Sequence, residues 1–222
     1  MYNLVLKEFS ILKKVFVFGI IYIIFCAFAF QGITSDGGGI YTIAPFVVVY
    51  LCINLSNGYD DKSKADIVFN SLPIKREDVV ISKYASALIF AGFGIICSAL
   101  IGGLCFFTGI AGINRVISLD DIFTVLAGAG IFIALFYPLY FKFGIIRMKF
   151  VNILLILVFM FLPAFIKNYF VNYPNNFIVR YILSFYKNTS GSILNLLYIV
   201  VACIIILTSL LISINIYKNK EF

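Results

Sequence analysis

Histidine is absent from the 222 residues, and so is tryptophan. Without His the chain lacks the commonest metal ligand and the commonest general base. No HExxH zinc site, Ser-His-Asp triad or Cys-His pair can therefore be assembled. No GxxxxGK[ST] stretch occurs, so the chain has no P-loop to cradle nucleotide phosphates. Charge is scarce: 12% of residues are Asp, Glu, Lys or Arg, against about 25% in a soluble domain, while 63% are hydrophobic. So little charge cannot cover a water-facing surface, which makes lipid the solvent for much of the chain. Cys26, Cys52, Cys97, Cys105 and Cys203 all sit in apolar runs without a CxxC pair. That placement argues against a disulfide framework and against a zinc site.

What is present is a series of long stretches free of Asp, Glu, Lys and Arg: Val15–Ser35, Gly37–Tyr59, Tyr84–Asn114, Ile122–Phe141, Phe150–Ile166 and Asn188–Tyr217. Each approaches or exceeds the roughly 17–25 residues that span a bilayer. The expectation is an all-α integral membrane protein, a single transmembrane domain over residues 1–222 with six spans. Their expected bounds are about 15–34, 38–59, 84–109, 121–141, 150–167 and 192–217, the fifth being the shortest. No carboxylate falls inside these spans, which argues against an aspartyl membrane protease and against a carrier built on a buried acid. Lys7, Lys13 and Lys14 precede an apolar run in the manner of a signal peptide. No small-x-small cleavage site follows, so this segment is read as a retained first helix.

Lys and Arg set the orientation. With the N-terminus inside, the cytoplasmic segments hold Lys7, Lys13, Lys14, Lys62, Lys64, Lys75, Arg76, Lys83, Lys142, Arg147, Lys149, Lys218 and Lys220. The far side holds Arg115, Lys167, Arg180 and Lys187. This bias predicts both termini in the cytoplasm. The net charge of +7 is spread between apolar runs, which does not suit a nucleic-acid partner. Pro45, Pro138 and Pro163 fall within spans, where they are either packing features or hinges. Gly92, Gly94, Gly102, Gly103, Gly128 and Gly130 favour close helix approach.

The most charged segment is Asp60–Lys83, DDKSKADIVFNSLPIKREDVVISK. Ala65, Val68, Phe69 and Leu72 recur at helical spacing and form one apolar face. Asp61, Lys62, Lys64 and Asp66 occupy the rest. Pro73 ends that helix, and a second helix starts near Arg76 with Glu77 and Asp78 in its first turn, where the dipole favours acids. It runs on through Lys83 and Tyr84 into the third span. Two readings stand: an elbow helix resting in the headgroups, or a helix that docks into a cytoplasmic partner. Acids and bases are equally represented, whereas a purely lipid-binding helix favours bases.

At these residues the chain resembles the small ABC-2-type transporter permeases of Gram-positive bacteria. Their signature loop has an acidic start, then SLP, a basic pair, an acid, apolar residues and KY. Here these are Asp60-Asp61, Ser71-Leu72-Pro73, Lys75-Arg76, Asp78, Val79-Val80 and Lys83-Tyr84. One departure is Lys75, where relatives often carry a Ser able to cap the second helix. The resemblance implies a permease that pairs with a second permease copy and with a separate ABC-type ATPase subunit. ATP and magnesium would bind in that partner, leaving no cofactor in this chain. It further implies an amphipathic coupling helix between the second and third spans, with Asp60, Asp61, Lys62, Lys64, Asp66, Phe69, Lys75 and Arg76 as coupling residues. Permeases of bacteriocin-type and phenol-soluble-modulin-type peptide exporters look most similar, which suits an amphipathic peptide or lipid-like substrate.

Beyond the loop, Asn54, Ser56, Asn57 and Asn152 are the conspicuous polar residues in spans. They serve as interhelical hydrogen bonds or as path-lining groups. Residues 168–190 carry Tyr169, Phe170, Tyr173, Phe177, Tyr181, Phe185 and Tyr186. This segment is expected to form short helices at the outer interface, as an anchor or as a lid. An alternative from another class is a non-transporting immunity or sensor-associated membrane protein. Reconstituted vesicles separate the two, since only a transporter moves substrate with ATP.

Overall fold

The computed structural model describes residues 4–5, 7–8, 13–29, 38–63, 65, 75–109, 113–173, 176–177, 179–181, 184 and 191–220. Among them there is no strand, and six long helices follow in chain order. They are α1 (Lys13–Ala29), α2 (Gly39–Lys62), α3 (Arg76–Thr108), α4 (Leu119–Arg147), α5 (Lys149–Asn172) and α6 (Gly191–Lys218). The stretches Gly39–Lys62, Arg76–Thr108, Leu119–Gly144 and Ile193–Lys218 are long and apolar enough to cross a membrane. Phe16–Ala29 and Lys149–Phe159 are shorter apolar helices over the described residues.

The helix ends follow local chemistry. At the start of α4, Ser118 Oγ accepts from the Asp121 amide at 3.3 Å and Asp121 Oδ2 accepts from the Ser118 amide at 2.9 Å, a capping box. The α3 helix begins at Arg76, with Glu77 and Asp78 in its first turn, and Lys75 supplies no side-chain cap. It closes at Gly109, whose φ of 68° is the left-handed cap that glycine adopts without a Cβ penalty. Both α2 and α4 continue through Pro45 and Pro138. In α4 the helical dihedrals fail at Gly144 instead, at φ 72° and ψ 162°. That region is essentially reserved for glycine, and it turns the chain towards α5.

The most extensive helix pairing is α4 with α6, followed by α2 with α3, α2 with α4 and α1 with α2. The α5 helix packs mainly on α4 and leaves Phe150, Leu157, Phe161 and Phe165 exposed. Small residues let backbones close up, as the sequence suggested: Gly94 lies against Pro45, Gly102 against the Tyr41 ring and Gly130 against Ile206. Gly92 and Gly103 face open space instead. The core is strongly aromatic along α4, where Phe132, Phe136, Tyr137, Tyr140 and Phe141 pack in sequence.

Polar contacts gather at two ends of the bundle. At one end, which carries most of the bases, Lys7, Glu8, Ser56, Asp60 and Lys83 converge. At the opposite end Arg115 grips Asp121 through two bonds of 2.5 and 2.9 Å. There Tyr41 donates to the Arg115 carbonyl at 3.0 Å, and Asn195 donates to Asp120 at 2.5 Å.

Candidate functional site

The basic end is built around Lys83, which is only 4% exposed. Its position follows from α3 starting seven residues earlier and packing along α2. Lys83 Nζ lies 2.8 Å from Glu8 Oε1 and pairs directly with Asp60 Oδ2. Glu8 is 3% exposed and Asp60 is 4% exposed. Lys7 adds a second cation, donating to Asp60 Oδ1 at 2.5 Å. Ser56, one turn before Asp60, donates to Glu8 Oε2. Two acids and two bases thus meet in a largely dry place, where an ion pair persists only if its partners and hydrogen bonds are supplied. Each charge here has them.

This network joins three pieces of chain: the segment before α1, the end of α2 and the start of α3. Asp60 and Lys83 are also the first and last residues of the charged loop, so the loop is stapled at its base. The neighbouring Tyr84 fastens the same turn of α3 to α6. Its hydroxyl lies 2.7 Å from Ser209 Oγ and 2.8 Å from Ser213 Oγ, and Ser209 donates to the Ala134 carbonyl of α4 at 2.6 Å. Tyr137 completes the tie by donating to the Lys83 carbonyl at 3.0 Å. The two residues of the KY pair therefore bind α3 to the rest of the bundle in opposite directions.

The loop residues separate by position. Asp61 is half-buried, and its Oδ1 lies 3.5 Å from the Tyr140 hydroxyl. Lys62 and Lys75 are exposed. Arg76 donates to the carbonyls of Lys218 and Lys220 at 2.7 and 3.2 Å, while Lys218 pairs with Glu77. The start of α3 is thereby clasped to the end of α6. Lys64, Asp66 and Phe69 lie outside the described residues, as does the SLP stretch.

Of the polar residues within helices, Asn54 and Asn152 are brought together, with Asn152 Nδ2 donating to Asn54 Oδ1 across α5 and α2. Ser56 and Asn57 are buried, Ser56 in the ionic network and Asn57 donating to the Ile53 carbonyl at 2.8 Å. The Oδ1 atoms of Asn57 and Asn152 have no partner among the described residues. Nearer the opposite end, Thr42, Ile43, Phe46, Thr124, Val125, Gly128 and Phe159 line an apolar cavity of about 340 Å³ between α2, α4 and α5. In the aromatic segment, Asn176 donates to the Tyr169 hydroxyl at 3.0 Å and Val179 is buried; residues 185–190 lie outside the described residues.

Glu8 was not among the residues that the sequence marked. It stands alone among basic and apolar neighbours, and only its contact with Lys83 gives it meaning. Among the described residues no group of His, Cys, Asp and Glu is arranged to hold a metal ion.

Comparison with known families adds an independent finding. A family model described as "ABC-2 family transporter protein" matches residues 3–218. No curated protein and no solved structure matches the chain.

Proposed function

The chain belongs to the ABC-2 family of transporter proteins, multi-pass proteins of the plasma membrane that work with an ABC-type ATPase, and from that premise we propose that it is the permease subunit of an exporter coupled through its Asp60–Lys83 loop. Six helices span the bilayer with the basic end in the cytoplasm, and two permease copies enclose the path. ATP and magnesium sit in the partner ATPase. The substrate is an amphipathic peptide or a lipid-like molecule, which suits the apolar cavity between α2, α4 and α5 and the shortage of charge elsewhere.

The observation that carries this reading is the pairing of Lys83 with both Asp60 and Glu8. A partner that moves the loop must move its two stapled ends together, or break a buried ion pair. Either way the displacement reaches α2, α3 and the segment before α1 at once. The exposed residues Lys62 and Lys75, with Asp61, Lys64, Asp66 and Phe69, form the docking part. Asp60 and Arg76 transmit the motion, since both are engaged within the chain. ATP binding then shifts the dimer between states that differ at this end.

Charge reversal at Asp61, Lys62, Lys64 and Asp66 together tests the docking part. Co-purification with the ATPase and stimulation of its hydrolysis should both be lost. An ATPase that still binds and is still stimulated would remove the loop from the coupling route. Transport of a labelled peptide into vesicles, dependent on ATP, separates export from peptide binding without transport.

A further inference from the structure

The turn from α4 to α5 reads KFGIIRMKF from Lys142 to Phe150. Gly144 lets the chain leave the helix, and Met148, buried at the start of α5, pins the turn from inside. Lys142, Arg147 and Lys149 are exposed, and none has an ion-pair partner among the described residues. Four other cations at this end are engaged: Lys7 by Asp60, Lys83 by Glu8 and Asp60, Lys218 by Glu77, and Arg76 by two carbonyls. No Asp or Glu occurs between Ile122 and Lys220. The acid that approaches from a neighbouring element is Asp61, whose Oδ2 lies 3.3 Å from where a Cβ on Gly144 would stand, on the side of Tyr140.

Two aromatic residues flank the cations. Phe150 is 86% exposed, and Phe143 is exposed with Lys142 Nζ 5.3 Å from its ring centroid. Exposed Phe side chains beside unpaired bases, at the end of an apolar helix, match a surface that is apolar below and negative above. We propose that this turn is a binding site for the headgroup of an anionic phospholipid, with Lys142, Arg147 and Lys149 around the phosphate and Phe143 and Phe150 in the acyl boundary. The site is separate from the Asp60–Lys83 loop. That loop has five acids and five bases, a pattern that complements a protein surface and not a uniformly negative one.

The absence of tryptophan supplies the probe. Phe150→Trp places a single indole at the site in the full-length chain, reconstituted in phosphatidylcholine vesicles. Brominated phosphatidylglycerol should quench it at a several-fold lower mole fraction than brominated phosphatidylcholine. Neutralising Lys142, Arg147 and Lys149 to Gln should abolish that preference. Lys142→Arg with Lys149→Arg should keep it, which distinguishes lost charge from lost folding. Equal quenching by the two lipids overturns the proposal. So does a preference that survives the triple Gln variant, or one abolished by millimolar inorganic phosphate, which would mark a site for the free anion. Loss of bound ATPase in the triple variant with the lipid preference intact also overturns it, by assigning the turn to the partner interface.

Discussion

Both ends of the bundle are closed by ion pairs, yet the two are made differently. At the far end Arg115 and Asp121 are six residues apart, and Asp121 also completes the capping box of its own helix. Such a clasp forms as α4 forms, and its Arg115 side chain is about one-third exposed, at 36%. At the basic end Glu8, Asp60 and Lys83 come from distant parts of the chain and are nearly excluded from solvent. A local, wetted clasp orders a loop; a remote, buried one makes separate helices depend on one another. The second is the arrangement through which a pull on one element is felt by others.

The sharpest way to break this contrast is Lys83→Met. It leaves Glu8 and Asp60 buried with one cation, Lys7, and should destabilise the protein by about 3–5 kcal/mol, read as a lowered thermal midpoint in detergent. Replacing Glu8, Asp60 and Lys83 together by Leu, Leu and Met should recover most of that loss, because no buried charge is left unpaired and Lys7, whose side chain is 29% exposed, can turn to solvent. ATP-driven transport should stay low in the triple variant if the network carries coupling and not only stability. A variant with restored stability and full transport would reduce the network to a structural clasp.

Gly144→Ala comes next. An L side chain at φ 72° and ψ 162° costs about 1–3 kcal/mol, and its Cβ would press on Asp61. A thermal midpoint unchanged by this substitution would show that the turn between α4 and α5 can be rebuilt. Arg115→Ala should cost about 1 kcal/mol, since solvent reaches the Arg115 side of the pair and screens it. Raising the salt concentration should weaken the Arg115 contribution and leave that of Lys83 nearly unchanged, which measures the difference between the two ends directly. Glu77→Gln should produce no measurable shift in midpoint, because its pair with Lys218 is exposed.

The helices were legible for a simple reason. A backbone in lipid must satisfy its own hydrogen bonds, so a long charge-free stretch has few forms open to it. The start of α3 at Arg76 was legible as well, because acids in a first turn signal a helix N-terminus. The ends of helices were less so. A charge closing an apolar stretch reads as the point where the chain enters water, and that logic put Asp60 in the charged loop and left Lys83 on a helix outside the third span. The structure extends α2 to Lys62 and starts α3 at Arg76, so both charges lie on helices facing one another. Nothing local in the sequence tells an acid at a helix end in water from one paired across a bundle. Glu8 escaped for the same reason. Asn54 and Asn152, by contrast, stood out in apolar surroundings, where an amide needs a partner, and the structure joins them.

The basic-end network also bears on how the protein is made. Glu8 and Asp60 leave the ribosome before Lys83 does, so both acids must wait at the membrane surface with Lys7 as their nearest cation. The first three helices can bury them only as a unit, once the start of α3 has arrived. Tyr84, on the same turn, waits longer still, for Ser209 and Ser213 near the end of the chain. A nascent chain halted before α6 would hold its charges in place and leave that tyrosine hydroxyl without Ser209 and Ser213.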